Sequence, residues 1–231
     1  MPTFQPTQVE FISQTVILRS VTFNEEGQTP PYKITALTPN LIGSDDPRVE
    51  AFNTQMHDLV MGEIDDFKNN TLQIASTPPI SAGSFLDIQY SLIGQKGDFW
   101  SIKFDNTGYA DGAAHPYHYS ITVNYDLEQG KEITLDEIFL PNSNYLKQIS
   151  DICKAELSTR DIGFDMDIFS QGADPTPENY QRWNVSNEGL VIGFDEYQVA
   201  PYAAGQQIVV IPFGKLADLL DHQGPLAPFL S

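Results

Sequence analysis

A single cysteine leaves this 231-residue chain without an internal disulfide. That residue, Cys153, stands in a helical apolar pattern, which reads as a buried, inert thiol rather than a nucleophile. Histidine is scarce as well, with four in the whole chain, and together with one cysteine this argues against a structural zinc site. No cofactor motif stands out, and neither a metal nor another cofactor is expected. No apolar run approaches the roughly 20 residues of a membrane span. Near the end of the chain the longest is Ile208-Val209-Val210-Ile211, which is the size of a strand. Met1 to Val9 carries neither a basic segment nor an apolar one, so no secretory leader is expected within this chain. Basic residues are also few: 12 Lys and Arg stand against 31 Asp and Glu, a net charge of −19. A field of that sign repels nucleic acid and anionic lipid, attracts cationic proteins and keeps the chain in solution.

What is present is enough for a core, with 41% hydrophobic residues, and the length suits one large or two small domains. Val9 to Phe23 has a strand pattern, Asn24-Glu25-Glu26-Gly27 a turn signal, and Tyr32 to Leu37 the alternation of a partner strand that Pro39 should break. Asp46 followed by Pro47 reads as a helix start. From there Val49, Phe52, Met56, Leu59, Val60, Ile64 and Phe67 recur at helical spacing over about six turns. Strands follow at Ser84–Leu92, from Phe99 to Phe104 and from Tyr119 to Tyr125, and a second helix within Asn142–Leu157. Residues 161–180 look irregular and acidic, with Asp161, Asp165, Asp167 and Asp174, but lack the glycine and terminal glutamate of a calcium loop. Trp183–Val185 and Leu190–Phe194 flank the hairpin turn Asn187-Glu188-Gly189, Gln207–Ile211 is a last strand, Lys215–Leu220 a closing helix, and the tail beyond His222 loose. The order implies an α+β fold, antiparallel sheets with helices packed on one face, in two small, closely associated subdomains.

Two long loops carry the chemistry. One contains Tyr109, Asp111, Gly112, His115, Pro116 and Tyr117, and the other Tyr197, Pro201, Tyr202 and Gly205. Tyrosine presents area, rigidity and a hydroxyl at modest entropic cost, which suits a recognition surface. A catalytic reading would use His115 as a base with Asp111 or Asp105, and Ser120 or Ser101 as nucleophile. No GxSxG elbow accompanies it, and Ser120 falls inside a strand. The bland alternative is a structural pin, with the ring bonded to a backbone carbonyl.

Tyr109-Ala110-Asp111-Gly112-Ala113-Ala114-His115-Pro116, then Asn124-Tyr125-Asp126-Leu127 and Gly130 to Phe139, resembles the signature of a bacterial domain of unknown function. That domain forms the C-terminal part of the lysozyme-sensing anti-sigma-V factor ectodomain. Gly189-Leu190, Phe194, Tyr197, Val199-Ala200-Pro201-Tyr202, Gly205 and Ile211-Pro212 resemble its second half. The earlier part, with Tyr32-Lys33-Ile34 and the long helix, is similar to a companion domain that precedes the catalytic domain of some peptidoglycan deacetylases. The resemblance covers most of residues 9–221 and implies a deacetylase-associated-like domain over 1–95 and a sensor-like domain over 96–231. It also implies an extracytoplasmic, non-enzymatic module, secreted, periplasmic or surface-anchored. The ligand implied is cell-wall-related, either a cationic lysozyme-like protein or peptidoglycan itself, held by the two tyrosine loops. A cell-wall hydrolase built on His115 and a nearby carboxylate, and a purely structural accessory domain, stand as alternatives.

Overall fold

The computed structural model describes residues 8–11, 14–163 and 166–230. The expectations for Met1 to Thr7, and for the side chains of Phe11, Asp165 and Asp167, lie outside the described residues. Strands β1 (Gln8–Phe11), β2 (Gln14–Gln28) and β3 (Pro31–Ile42) form an antiparallel meander. The turn expected at Asn24–Gly27 is instead part of the ladder, with Asn24 opposite Thr35 and Gly27 opposite Tyr32. Gly27 serves packing: a Cβ there would lie 2.0 Å from the Tyr32 ring, so only glycine lets that ring cross the strand. The Tyr32 hydroxyl donates to Glu25 at 2.5 Å, and Lys68 pairs with the same carboxylate at 2.7 Å. Pro39 does not end β3. Beyond Ala36 that strand has no β4 partner, and a residue without an N–H is tolerated where one edge is unpaired.

Helix α1 (Pro47–Asp66) starts where the sequence puts it: the Asp46 carboxylate accepts from Arg48 N at 2.9 Å, and Pro47 occupies the first turn. The Arg48 guanidinium also binds Asp46 and holds its pKa down to about 2. Val49, Phe52, Met56, Val60 and Ile64 are buried, and the helix packs against β3. The helix is also the crossover that makes β3 and β4 (Ser84–Lys96) parallel, Tyr32 opposite Ser84 and Ala36 opposite Ile88. This pair departs from the antiparallel layout read from the sequence. Strands β5 (Phe99–Tyr109), β6 (Tyr117–Asp126) and β7 (Lys131–Glu132) complete a sheet of seven strands in chain order.

A second sheet has the order β10-β9-β8, all antiparallel, from β8 (Trp183–Val185), β9 (Gly189–Phe194) and β10 (Gln207–Pro212). The expected hairpin at Asn187–Gly189 is present, with Val185 opposite Leu190. Helix α2 (Tyr145–Leu157) buries Ile149, Cys153 and Leu157, and burial pushes the Cys153 thiol up to about 12, as an inert thiol requires. A short helix α3 (Met166–Gly172) lies in the stretch read as irregular. Lys215–Leu220 forms consecutive tight turns rather than a helix, and buries Leu216 and Leu220. The tail is not loose: helix α4 (Ala227–Leu230) follows a buried Leu226, and Phe229 meets Phe99 edge-on at 5.7 Å.

The chain forms two compact units. One comprises residues through Ser91, then Phe104–His118 and Leu127–Lys131; the other comprises Leu92–Lys103, Tyr119–Asp126 and Glu132 to the end. Strands β4 to β7 therefore each carry residues of both, and position 95 falls just before the end of β4.

Candidate functional site

The first tyrosine loop belongs to the first unit, and its backbone is pinned by Asp111, which is 2% exposed. The Asp111 carboxylate accepts from Ile80 N at 2.8 Å and from the Ser81 hydroxyl. Its own N–H donates to Ser84 Oγ at 3.0 Å, and its carbonyl accepts from Ser76 N at 2.8 Å. Gly112, at φ +94°, brings the backbone against Ser76, where a Cβ would lie 2.1 Å from Oγ. Tyr109 stacks on Phe85 at 5.9 Å, and Tyr117 lies over Gly108 with its hydroxyl 3.2 Å from Thr71 Oγ1. His115 is exposed, and its Nδ1 sits 2.7 Å from the carbonyl of the adjacent Pro116. Asp111 is thus engaged with residues 80 and 81 rather than set to act as a base's partner.

The hydrogen bonds from Ser81 and Ile80 hold the Asp111 carboxyl below its ordinary value of 3.8. A depressed carboxylate contributes stability above that value and loses it as pH falls through the folded-state pKa. The melting-temperature gap between the wild type and Asp111→Asn is therefore expected to be full at pH 5 and to narrow steadily below about pH 4. A gap that stays constant down to pH 2 would remove this role from Asp111.

The second loop, in the other unit, is held rigidly while presenting two rings. It leaves β9 at the buried Phe194 and returns to β10 at Gln207, residues opposite one another in the ladder. Val199 and Ala200 plug it into the core. The Gln198 amide donates to Gly172 O at 3.1 Å and Asn179 O at 2.9 Å. Pro201 leads into a helical turn over Tyr202–Ala204, and Gly205 closes it at φ +65° with its N–H on Tyr202 O at 2.9 Å. From this frame Tyr197 projects 59% exposed, its ring 5.7 Å from that of Tyr202 and tilted by 33°. Tyr197 takes φ +68°, the left-handed region that a bulky side chain occupies at a cost of roughly 1–2 kcal/mol. Such outliers concentrate where function sets the conformation.

The loop is tied at its base by Asp195, a residue to which the pattern of the sequence assigns no role. Its Oδ1 accepts from Ser120 N and Oγ, both at 3.2 Å, and from Gln206 Nε2 at 3.1 Å, while Oδ2 pairs with Arg182 Nε. Arg182 Nε also reaches Ser120 O at 3.0 Å, and Lys103 contacts Gln206 Oε1 at 3.4 Å. Burial raises the Asp195 pKa, and the Arg182 charge opposes that. Ser120, 4% exposed, spends its hydroxyl proton on this carboxylate, so it supports the loop rather than facing solvent as a nucleophile. The one signal in the sequence was a carboxylate directly after an apolar strand.

Residues 136–214, which include this second loop, match the model of a protein family of unknown function, DUF3298. Over 139 residues the chain is 30% identical to the peptidoglycan-N-acetylmuramic acid deacetylase PdaC of Bacillus subtilis, a match covering 60% of this chain and 30% of that protein. It is 31% identical over 102 residues to a protein named as an esterase in Mycobacterium tuberculosis, covering 44% of each. The chain thus spans less than half the length of these curated relatives. A crystal structure of a DUF3298-family protein from Bacteroides fragilis superposes with a TM-score of 0.66 at 16% identity, over 89% of this chain and 94% of the other. One from Pseudomonas aeruginosa gives 0.62 at 16% identity, with the same coverage. The mixed helix-and-sheet fold is shared with these proteins.

Proposed function

We propose that this chain is a non-enzymatic recognition module that works outside the cytoplasm and binds peptidoglycan through the surface formed by Tyr197 and Tyr202. The observation that carries this reading is the exposed Tyr197 ring set beside the half-buried Tyr202 ring, on a loop whose backbone is fixed from below. A sugar ring has an apolar C–H face that packs on an aromatic ring, and hydroxyl and acetamido groups around its rim that pair with phenolic hydroxyls. A platform already rigid before binding loses little conformational entropy on contact, so more of the contact energy appears as affinity. The deacetylase relative supports the ligand class, since its name gives peptidoglycan as its substrate and the part shared with this chain is 30% of its length. The net charge of −19 favours a second reading, a basic lysozyme-like protein as the partner, drawn in by the acidic field.

Co-sedimentation with purified sacculi tests the proposal. Wild type should sediment at physiological salt, and Tyr197→Gly combined with Tyr202→Ala should weaken that association at least tenfold, about 1.4 kcal/mol. Glycine suits the left-handed backbone at 197, so the variant should keep its fold, as circular dichroism and melting would register. Undiminished sedimentation of the variant, or none by wild type, would overturn the glycan reading. Binding of a basic lysozyme that survives physiological salt would favour the protein partner instead.

A further inference from the structure

The second unit holds a cleft of about 270 Å³ that shares no lining residue with the 195–205 loop. Its lining includes the buried Trp183 and the half-buried Tyr145, with Leu135, Leu146 and the exposed acidic residues Glu132 and Asp136. Among the described residues that line it there is no lysine or arginine. Tyr145 is braced from behind, stacked on Phe139 with centroids 4.5 Å apart and planes 10° from parallel. Asp136 is also held in place: Thr134 Oγ1 donates to its Oδ1 at 2.6 Å, within a capping box in which Thr134 N donates to Glu137 at 2.8 Å. Trp183 is fixed through its backbone, whose N–H donates to Thr122 Oγ1 at 3.2 Å. Burial raises the Tyr145 phenol and the Asp136 charge raises it further, so the negative field reaches the aromatic wall.

We propose that this cleft is a binding site for a primary alkylammonium group of the size of a lysine side chain. Two carboxylates attract the cation, and aromatic faces add a cation–π contribution while covering an apolar stem. At about 270 Å³ the cleft lies just below the usual range of ligand pockets, enough for a short chain with a terminal amine and too small for a folded peptide. A neutral or anionic group of equal size would meet the same apolar wall without the charge pairing, and the cleft therefore selects for charge.

The test is a titration of the whole chain with Nα-acetyl-L-lysine amide, set against Nα-acetyl-L-norleucine amide as its uncharged counterpart, followed by amide chemical shifts and tryptophan fluorescence. The lysine compound should produce saturable shifts at Trp183, Tyr145 and Leu135, and bind at least fivefold more tightly than the norleucine compound. Glu132→Gln, on an exposed two-residue strand, and Asp136→Asn should each remove most of that preference while leaving the spectrum folded. Equal binding of the two compounds, shifts that fall elsewhere, or a preference that survives both substitutions would overturn the site. Sacculus sedimentation by Glu132→Gln reads the Tyr197–Tyr202 surface separately, so either proposal can fail without the other.

Discussion

Phe194→Ala is expected to cost about 3–5 kcal/mol of folding stability, the range for deleting a fully buried phenylalanine. Phe194 is wholly buried at the end of β9, and its ring meets Tyr180 edge-on at 5.9 Å and 76°. Tyr180 cannot move into the space, because its hydroxyl donates to Ala173 O at 2.7 Å and the same carbonyl takes a bond from Ser150 Oγ at 2.6 Å. A cavity beside a tethered neighbour stays open, which places the cost toward the upper part of the range. Urea unfolding should show the midpoint fall with the slope unchanged. A loss below about 1 kcal/mol would mean that the core closes over the gap and that the Tyr180 tether is weaker than its geometry.

Ser101→Ala should be nearly as damaging, at about 3 kcal/mol, although it removes one oxygen. Ser101 is 0% exposed, and its hydroxyl is the hub of a buried network. Oγ accepts from Val185 N at 2.8 Å and Asn184 Nδ2 at 3.0 Å and donates to Asn124 Oδ1 at 2.7 Å. Asn184 keeps a second acceptor in Ile102 O at 3.0 Å, and Asn124 keeps Trp183 O at 2.9 Å through its Nδ2. The alanine variant therefore orphans chiefly the Val185 N–H and the Asn124 carbonyl, each worth roughly 1–3 kcal/mol when left dry. Amide exchange at Val185 should accelerate in step with the loss of stability. Unchanged exchange and stability would mean that a water replaces the hydroxyl.

The same network marks where the sequence stops being legible. Alternation in Ser101-Ile102-Lys103-Phe104 assigns Ser101 to the outer face, yet the first four residues of β5 are all buried. A strand covered on both sides gives no period-2 signal, and its polar residues look exposed until their partners on β8, more than eighty positions away, are seen. The cap at Asp46, the α1 stripe and the Asn187–Gly189 hairpin were legible because each is local, fixed by neighbours within four residues. Gly27 misled because a glycine that admits a cross-strand ring has the same letter as one that makes a turn. The tyrosines of the second loop were visible as a composition, whereas the left-handed Tyr197 and the Asp195–Arg182 tie below it depend on long-range pairing that no spacing reveals. The amine-sized cleft, assembled from segments around residues 132, 145 and 183, left no trace in the order of the chain.

Strands β4 to β7 each carry residues of both units, and this bears on how such a chain is inherited. Exchange of genetic segments works most simply when a domain is one uninterrupted stretch, because a single crossover at each end carries all of it. Here a break anywhere between residues 91 and 132 separates a unit from some of its own strands. Swapping one half for a foreign sequence would leave two incomplete cores. The pair is therefore expected to travel between longer proteins as one indivisible cassette, with new partners joined at its ends.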